Sequence, residues 1–232
     1  RSDGKMTDMT ILTEVEDLET VIAYADQQPY TNDELNLMGC SQGGLVTALA
    51  AAKFGTERVH KVILFYPAFS IHDEAMKGQN MNYKFDPNKI PEKVGKGPTA
   101  LSGAYFKDAI QTDVFNEIGA YKGPVFIAHG TKDKMVSHTF SERAYEAYKA
   151  AGTDVSLMLV PKAGHNFAGS SDKDAFFAAK KFLLEDKKLI LDIDVTTTGT
   201  EVEKGGILNI ANIPFVGDSK TNYFEGVIQP GA

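Results

Sequence analysis

The sequence predicts an α/β fold, a mostly parallel sheet with helices on both faces. Three observations lead there. Short apolar runs of strand length alternate with amphipathic runs of helical period as far as about residue 187, the pattern of strands covered by helices on both sides. The pentad Gly39-Cys40-Ser41-Gln42-Gly43 stands between one such strand and the helix after it. Asp133 and His165 then each follow a later strand of their own, in the order Ser, Asp, His.

Ile11, Val15, Leu18, Ile22 and Ala25 recur at three- and four-residue spacing and predict a helix over 11–27. Gln28-Pro29 and Asn32-Asp33 are turn chemistry. Leu35–Met38 is a short strand, and the Leu- and Ala-rich stretch 42–53 is a helix. Lys61–Tyr66 is a buried strand closed by Pro67. Residues 70–122 are weakly periodic and carry Gly78, Pro87, Pro91, Gly95, Gly97, Pro98 and Gly103. An insertion of this length is a lid or a disordered excursion. Its scattered Met76, Met81, Tyr83, Phe85, Tyr105 and Phe106 favour an ordered lid. Val125–His129 is a strand, 138–151 a helix, Val155–Val160 a strand and 172–186 a helix. The helix ends beside Lys187 and Lys188, whose charges suit its dipole.

The texture changes after residue 188. Leu189, Leu191, Ile193 and Val195 alternate with Ile190, Asp192, Asp194 and Thr196, and Gly205-Gly206, Pro214, Gly217 and Gly226 punctuate the rest of the chain. The expected organisation is an α/β domain over 1–187 and the start of a β-rich second module over 188–232.

Composition narrows the function. The chain has 232 residues and a formal net charge of −7, so a nucleic acid or an anionic membrane is not the expected partner. Its 43% hydrophobic content supports a packed core. A single Cys excludes an internal disulfide and a Cys-based zinc cluster. The longest apolar run, around Val62–Tyr66, is strand-sized, so no membrane span is expected. No secretory leader is visible, and a cytoplasmic location is the expectation. Self-association as a homo-oligomer is compatible with the sequence.

Gly-x-Ser-x-Gly between a strand and a helix is a nucleophile elbow. The Ser sits on a strained turn, so its neighbours two before and two after must be small, and Gly39 and Gly43 supply that. The turn lifts the hydroxyl above the sheet edge and puts the Gln42 amide at a helix N-terminus, where it can donate to an oxyanion. Ser41 then needs a base, and the base an orienting acid. His165 and Asp133 lie just past the carboxyl ends of strands, where open α/β sheets build their sites. His129 reads as a structural hydrogen-bonder and His138 as an exposed residue opening a helix. His60 and His72 lack neighbours at metal-ligand spacing, so no metal site emerges. Cys40 is out of register for the elbow and reads as a small apolar residue near the site.

At these residues the chain resembles the α/β-hydrolase superfamily, and within it the bacterial cinnamoyl and feruloyl esterases. His129-Gly130-Thr131-Lys132-Asp133-Lys134-Met135-Val136 resembles the family's acid loop, and Gly164-His165-Asn166-Phe167 its histidine loop. Ser2-Asp3-Gly4-Lys5 resembles the segment before the helix that precedes the elbow. Phe85-Asp86-Pro87 with Ile90-Pro91 resembles part of the family's lid. The resemblance implies early strands and a His-Gly oxyanion loop upstream of the nucleophile. Only 40 residues precede Ser41, and no His-Gly occurs among them. The chain is accordingly expected to be a fragment, N-terminally truncated and cut short in its β-rich tail. Ser137 stands where the family often has Pro.

The expected function is a serine esterase. Ser41 attacks an ester carbonyl, His165 takes its proton, Asp133 orients the imidazole and the Gln42 amide forms half of the oxyanion hole. The resemblance points to hydroxycinnamoyl (feruloyl-type) esters. A small-molecule ester is the expected partner, and neither cofactor nor metal is needed. Tyr66, Phe69 and Tyr105 are candidate substrate contacts, with simple packing as the competing role. A peptidase or acyltransferase on the same three residues, or a non-catalytic hydrolase-like fragment, remain alternatives.

Overall fold

The computed structural model describes residues 4–184 apart from 82, 170 and 171. The boundary near 187 and the β-rich module over 188–232 lie outside the described residues. The described sheet has four strands, β1 (Asn36–Cys40), β2 (Lys61–Phe65), β3 (Val125–Gly130) and β4 (Val155–Val160). All are parallel and lie side by side in chain order. The helices are α1 (Ile11–Asp26), α2 (Gln42–Phe54), α3 (Ile71–Met76), α4 (Gly103–Gln111), α5 (Val114–Glu117), α6 (Thr139–Ala150) and α7 (Asp172–Leu184).

β2 and β3 are buried at every residue, so both faces must be apolar, and they are. Val62, Leu64, Val125 and Ile127 pack with α1, α2 and α6 on one face. Ile63, Phe65, Phe126 and Ala128 pack with Val160, Phe167 and the α7 residues Ala175 and Ala179 on the other. The side-chain period of two distributes one continuous apolar run between two cores. β1 differs. It pairs only with β2 among the described strands, and Met38 and Cys40 are exposed on it.

α1 starts where its cap is made. Thr10 accepts from the Thr13 N–H at 3.2 Å, and Thr13 Oγ1 accepts from the Thr10 N–H at 2.8 Å. That reciprocal pair satisfies two orphan donors. α2 is buried continuously from Gly44 to Ala51, and its small residues let it lie close on the sheet. Lys61 is buried at the start of β2. Its ammonium donates to the carbonyls of Phe182 at 2.9 Å and Leu183 at 3.4 Å, in the last turn of α7.

The stretch expected as a loop-rich lid, about 70–122, contains α3, α4 and α5 and two antiparallel two-residue ribbons, 79–80 with 83–84 and 93–94 with 101–102. These helices are too short for a visible period. Ser102 caps α4 by accepting from the Tyr105 N–H at 3.3 Å. Tyr105 and Phe106 are buried within the α1/α2 core, and Phe85 stacks on Phe106 with ring centres 4.7 Å apart. Arg143 of α6 lies 3.8 Å over the Phe115 ring and pairs with Asp73 at 3.3 Å, tying α3 and α5 to α6.

The elbow's steric demand is partly other than expected. A Cβ at Gly39 would run into the Gly43 carbonyl and Thr47 Oγ1, and one at Gly44 would meet Pro67 Cβ at 2.9 Å. A Cβ at Gly43 would meet nothing within 4 Å. The small-residue requirement thus falls on Gly39 and Gly44, because Gly43 is exposed on the outer side of the turn. Gly39→Ala is expected to lower unfolding stability by about 1–3 kcal/mol. Gly43→Ala should stay within about 0.5 kcal/mol of the parent. Urea melts of the two variants measure both.

Candidate active site

Parallel register brings the functional loops to one edge of the sheet. Cys40 lies opposite Phe65, Phe65 opposite Ala128, and Gly130 opposite Val160. Ser41, Tyr66, the 131–136 turn and the 161–167 loop therefore leave the sheet at its carboxyl edge. Ser41 has φ 53° and ψ −123°, a conformation that costs a non-glycine residue roughly 1–3 kcal/mol. Backbone bonds hold it. Its N–H donates to Phe65 O at 3.0 Å, and its carbonyl accepts from Gly44 N–H at 3.0 Å and Ala68 N–H at 2.8 Å.

The three residues singled out by the sequence meet. His165 Nε2 lies 3.0 Å from Ser41 Oγ, and His165 Nδ1 lies 2.7 Å from Asp133 Oδ2. The Asp133 side chain is completely buried, and that of His165 is 11% exposed. Asp133 Oδ1 accepts from the N–H groups of Met135 at 2.8 Å and Val136 at 3.0 Å. Burial pushes the Asp133 carboxyl up. The Val136 N–H, His165 and the Met135 N–H outweigh it and hold the group below its ordinary range. An ionised Asp133 takes the Nδ1 proton of His165 as its hydrogen bond, which leaves Nε2 to accept from the Ser41 hydroxyl.

Gln42 opens α2, where its N–H has no intrahelical carbonyl to reach. Its side chain has a role the sequence did not show. Oε1 accepts from the Tyr105 hydroxyl at 3.0 Å, and Nε2 donates to Glu14 Oε2 at 2.5 Å. One amide thereby joins α1, the elbow and α4. Burial pushes the Glu14 carboxyl up, the Gln42 amide opposes this, and the neighbouring Asp17 charge adds to it. No spacing signal links positions 14, 42 and 105, so only the fold reveals the contact.

Of the three candidate substrate contacts, Tyr66 borders the site. Its backbone has φ 37°, and its ring centre lies 4.8 Å from that of His165 and 5.0 Å from that of Phe167. Phe69 is fully buried, with its ring 6.0 Å from Phe115, and Tyr105, on α4, is 3% exposed. Both rings are packed in the core, the role that competed with substrate contact. His129 is completely buried in β3 and forms three hydrogen bonds. His72 Nδ1 lies 2.9 Å from the Ala109 carbonyl in the insertion. Cys40 is exposed on β1 rather than packed. Among the described residues no three His, Cys, Asp or Glu side chains are grouped to hold a metal ion. A groove lined by Glu14, Leu18, Met38, Cys40, Gly43 and Val46 opens beside β1.

This geometry has counterparts among known proteins. The model of the prolyl oligopeptidase family (peptidase S9) matches residues 10–187. The chain belongs to that family. It is a serine hydrolase of the α/β-hydrolase superfamily, of the esterase type. The structure is similar to that of Est1E from Butyrivibrio proteoclasticus, solved with ferulic acid bound, at 30% identity and TM-score 0.73, covering 80% of this chain and 72% of that one. Monoacylglycerol lipase from Paleococcus ferrophilus shares the fold at 18% identity and TM-score 0.57, covering 79% of each chain. Acetyl xylan esterase 1 from a Thermoanaerobacterium species shares it at 22% identity and TM-score 0.51, covering 74% of this chain and 51% of that one. Among curated proteins none matches the chain.

The buried groups give the site a pH-dependent stability. Burial lowers the pKa of His129 from its ordinary 6.5, against the raising effect of the Val136 carbonyl and Asp133. The unfolded chain therefore binds that proton first on acidification. The stability His129 contributes is fully present above about pH 6.5 and is lost as pH falls through its lower folded value. Asp133 is likewise held below its ordinary 3.8, so its contribution is present above that value and lost only in stronger acid. Melting temperatures measured from pH 8 to about pH 4 should fall more for the parent than for His129→Gln, which lacks the first of these protonations.

Proposed function

We propose that the chain hydrolyses carboxylic esters with Ser41 as nucleophile, His165 as general base and acid, and Asp133 as the residue that orients it. The observation that carries this reading is the unbroken hydrogen-bonded line from Ser41 Oγ through His165 to a fully buried Asp133 at the carboxyl edge of the sheet. In acylation the Ser41 oxygen bonds to the ester carbonyl carbon while His165 Nε2 takes its proton. The resulting oxyanion is met by the Gln42 N–H, and the same imidazole proton passes to the departing alcohol as the C–O bond breaks. Water then repeats the sequence on the acyl-enzyme, releasing the acid and restoring the Ser41 hydroxyl. Asp133 keeps the imidazole in the required tautomer and stabilises its transient cation.

The acyl group we assign is aromatic, of the hydroxycinnamoyl (feruloyl) kind. Two facts support it: Est1E, 30% identical over most of both chains, was solved with ferulic acid, and Tyr66 presents an aromatic ring beside His165. Peptide hydrolysis is the second reading, favoured by the family whose model matches 10–187. The same three residues serve it, with His165 protonating an amine instead of an alcohol, and acyl transfer differs only in the second nucleophile.

A fluorophosphonate is expected to add once to the parent and not to Ser41→Ala, read by intact mass. Asp133→Asn should cut ester turnover by about 10⁴-fold, since it leaves the imidazole in the wrong tautomer. Undiminished ester turnover by Ser41→Ala overturns the assignment. Methyl ferulate should be cleaved faster than a methyl ester of an aliphatic acid. Faster cleavage of a peptide anilide than of either ester would shift the assignment to a peptidase.

A further inference from the structure

We infer that His129 is a positioning residue for this reaction. Its Nε2–H and the Nδ1–H of His165 converge on one oxygen, Asp133 Oδ2, and together they fix the carboxylate's plane and divide its charge. The inference rests on the triad reading and assigns a second histidine to the same site.

His129 lies near the end of β3, four residues before Asp133, and is 0% exposed, so its ring must find its hydrogen bonds within the protein. Its Nε2 is 3.0 Å from the Val136 carbonyl and 3.2 Å from Asp133 Oδ2. A carbonyl oxygen only accepts, so Nε2 carries a proton. Its Nδ1 is 2.7 Å from Ser141 Oγ, itself 0% exposed on α6. In a neutral ring protonated at Nε2, Nδ1 accepts from the Ser141 hydroxyl. Burial favours that neutral ring. Two groups from different parts of the chain, the Val136 carbonyl in the turn and the Ser141 hydroxyl in α6, thus set one tautomer.

The consequence falls on Asp133. Oδ1 accepts from the Met135 and Val136 N–H groups, and Oδ2 accepts from the His165 Nδ1–H and shares the His129 Nε2–H with the Val136 carbonyl. With two donors on each oxygen, the carboxylate cannot turn about its Cβ–Cγ bond without breaking several bonds at once. The second donor on Oδ2 also draws off charge that would otherwise act on His165 alone. The titratable groups facing His129 are Asp133 in its own turn, His138 at the start of α6 and, across Oδ2, His165.

Nitrogen-15 imidazole NMR tests this without needing turnover. In the parent, His129 should show the Nε2–H tautomer and titrate below an ordinary histidine. Two variants separate positioning from packing. His129→Gln keeps an amide N–H near the place of Nε2, whereas in His129→Asn the amide stops short of Asp133. The Asn variant should move the Nδ1–H proton resonance of His165, which reads its hydrogen bond to Asp133 Oδ2. It should also lower kcat on an ester by about tenfold. The Gln variant should restore both. A proton on His129 Nδ1, an unmoved His165 Nδ1–H resonance in both variants, or an equal shift in both overturns the positioning role. Failure of the triad reading shows separately, as undiminished ester turnover in Ser41→Ala.

Discussion

The carboxylate of Asp133 is the constraint around which the described site is arranged. An anion taken out of water costs several kcal/mol unless donors replace the lost hydration. Here the donors come from its own turn and from two histidines on either side, and the carboxyl stays below its ordinary range despite complete burial. Satisfying it fixes much else. The 131–136 turn must close tightly enough to aim two N–H groups at Oδ1. The histidine loop must lie against that turn, and it does. Lys132 N–H donates to Ala163 O at 2.8 Å, and Lys162 N–H donates to Thr131 Oγ1 at 2.9 Å. Gly130 makes this possible, since a Cβ there would collide with the Ala163 carbonyl.

The opposite end of the hydrogen-bonded line is held by strain rather than by charge. Ser41 has φ 53°, Tyr66 37°, Lys162 64°, Asn166 58° and Phe167 56°, so five non-glycine residues of the carboxyl edge sit in the left-handed region. Each conformation costs on the order of 1–3 kcal/mol and persists only where the surroundings over-determine it. The surroundings are two strands buried at every residue and a close-packed helix whose first turn touches Pro67. A core this dense does not relax locally, and the strained loops inherit its rigidity. The Ser41 hydroxyl thereby stays 3.0 Å from His165 Nε2.

How much of the molecule is legible in the sequence depends on how local each signal is. The four strands lie within about two residues of their expected spans because unbroken apolar runs have few alternatives. Ser41, Asp133 and His165 are legible because each follows its own strand, so placement on a common edge needs only parallel pairing. The short helices of the insertion are not, since α3 and α5 span six and four residues and show no period. Phe69 and Tyr105 carry no local sign of whether a substrate or the core covers them, and both pack in the core. The Gln42 amide bonds to partners 28 and 63 positions away, and nothing at position 42 announces either. Gly43 looks sterically necessary by its place in the pentad, and only the outward direction of its absent Cβ shows that it is not.

Gln42 also shows how a common reaction and a variable pocket can share one chain. Its backbone N–H belongs to the turn that carries the nucleophile, while its side chain belongs to the insertion and to α1. A primary amide is the side chain suited to this, because it offers a donor and an acceptor on one rigid plane. Tyr105 occupies the acceptor and Glu14 the donor, so a flipped amide would turn its oxygen onto the Glu14 carboxyl oxygen. The insertion is therefore indexed to the residue that follows Ser41 and opens α2. Residues of the insertion that reach a substrate would do so from a platform registered to Ser41. An acyl pocket can then change by substitution within 70–122 while the distance from hydroxyl to imidazole stays set by the sheet edge.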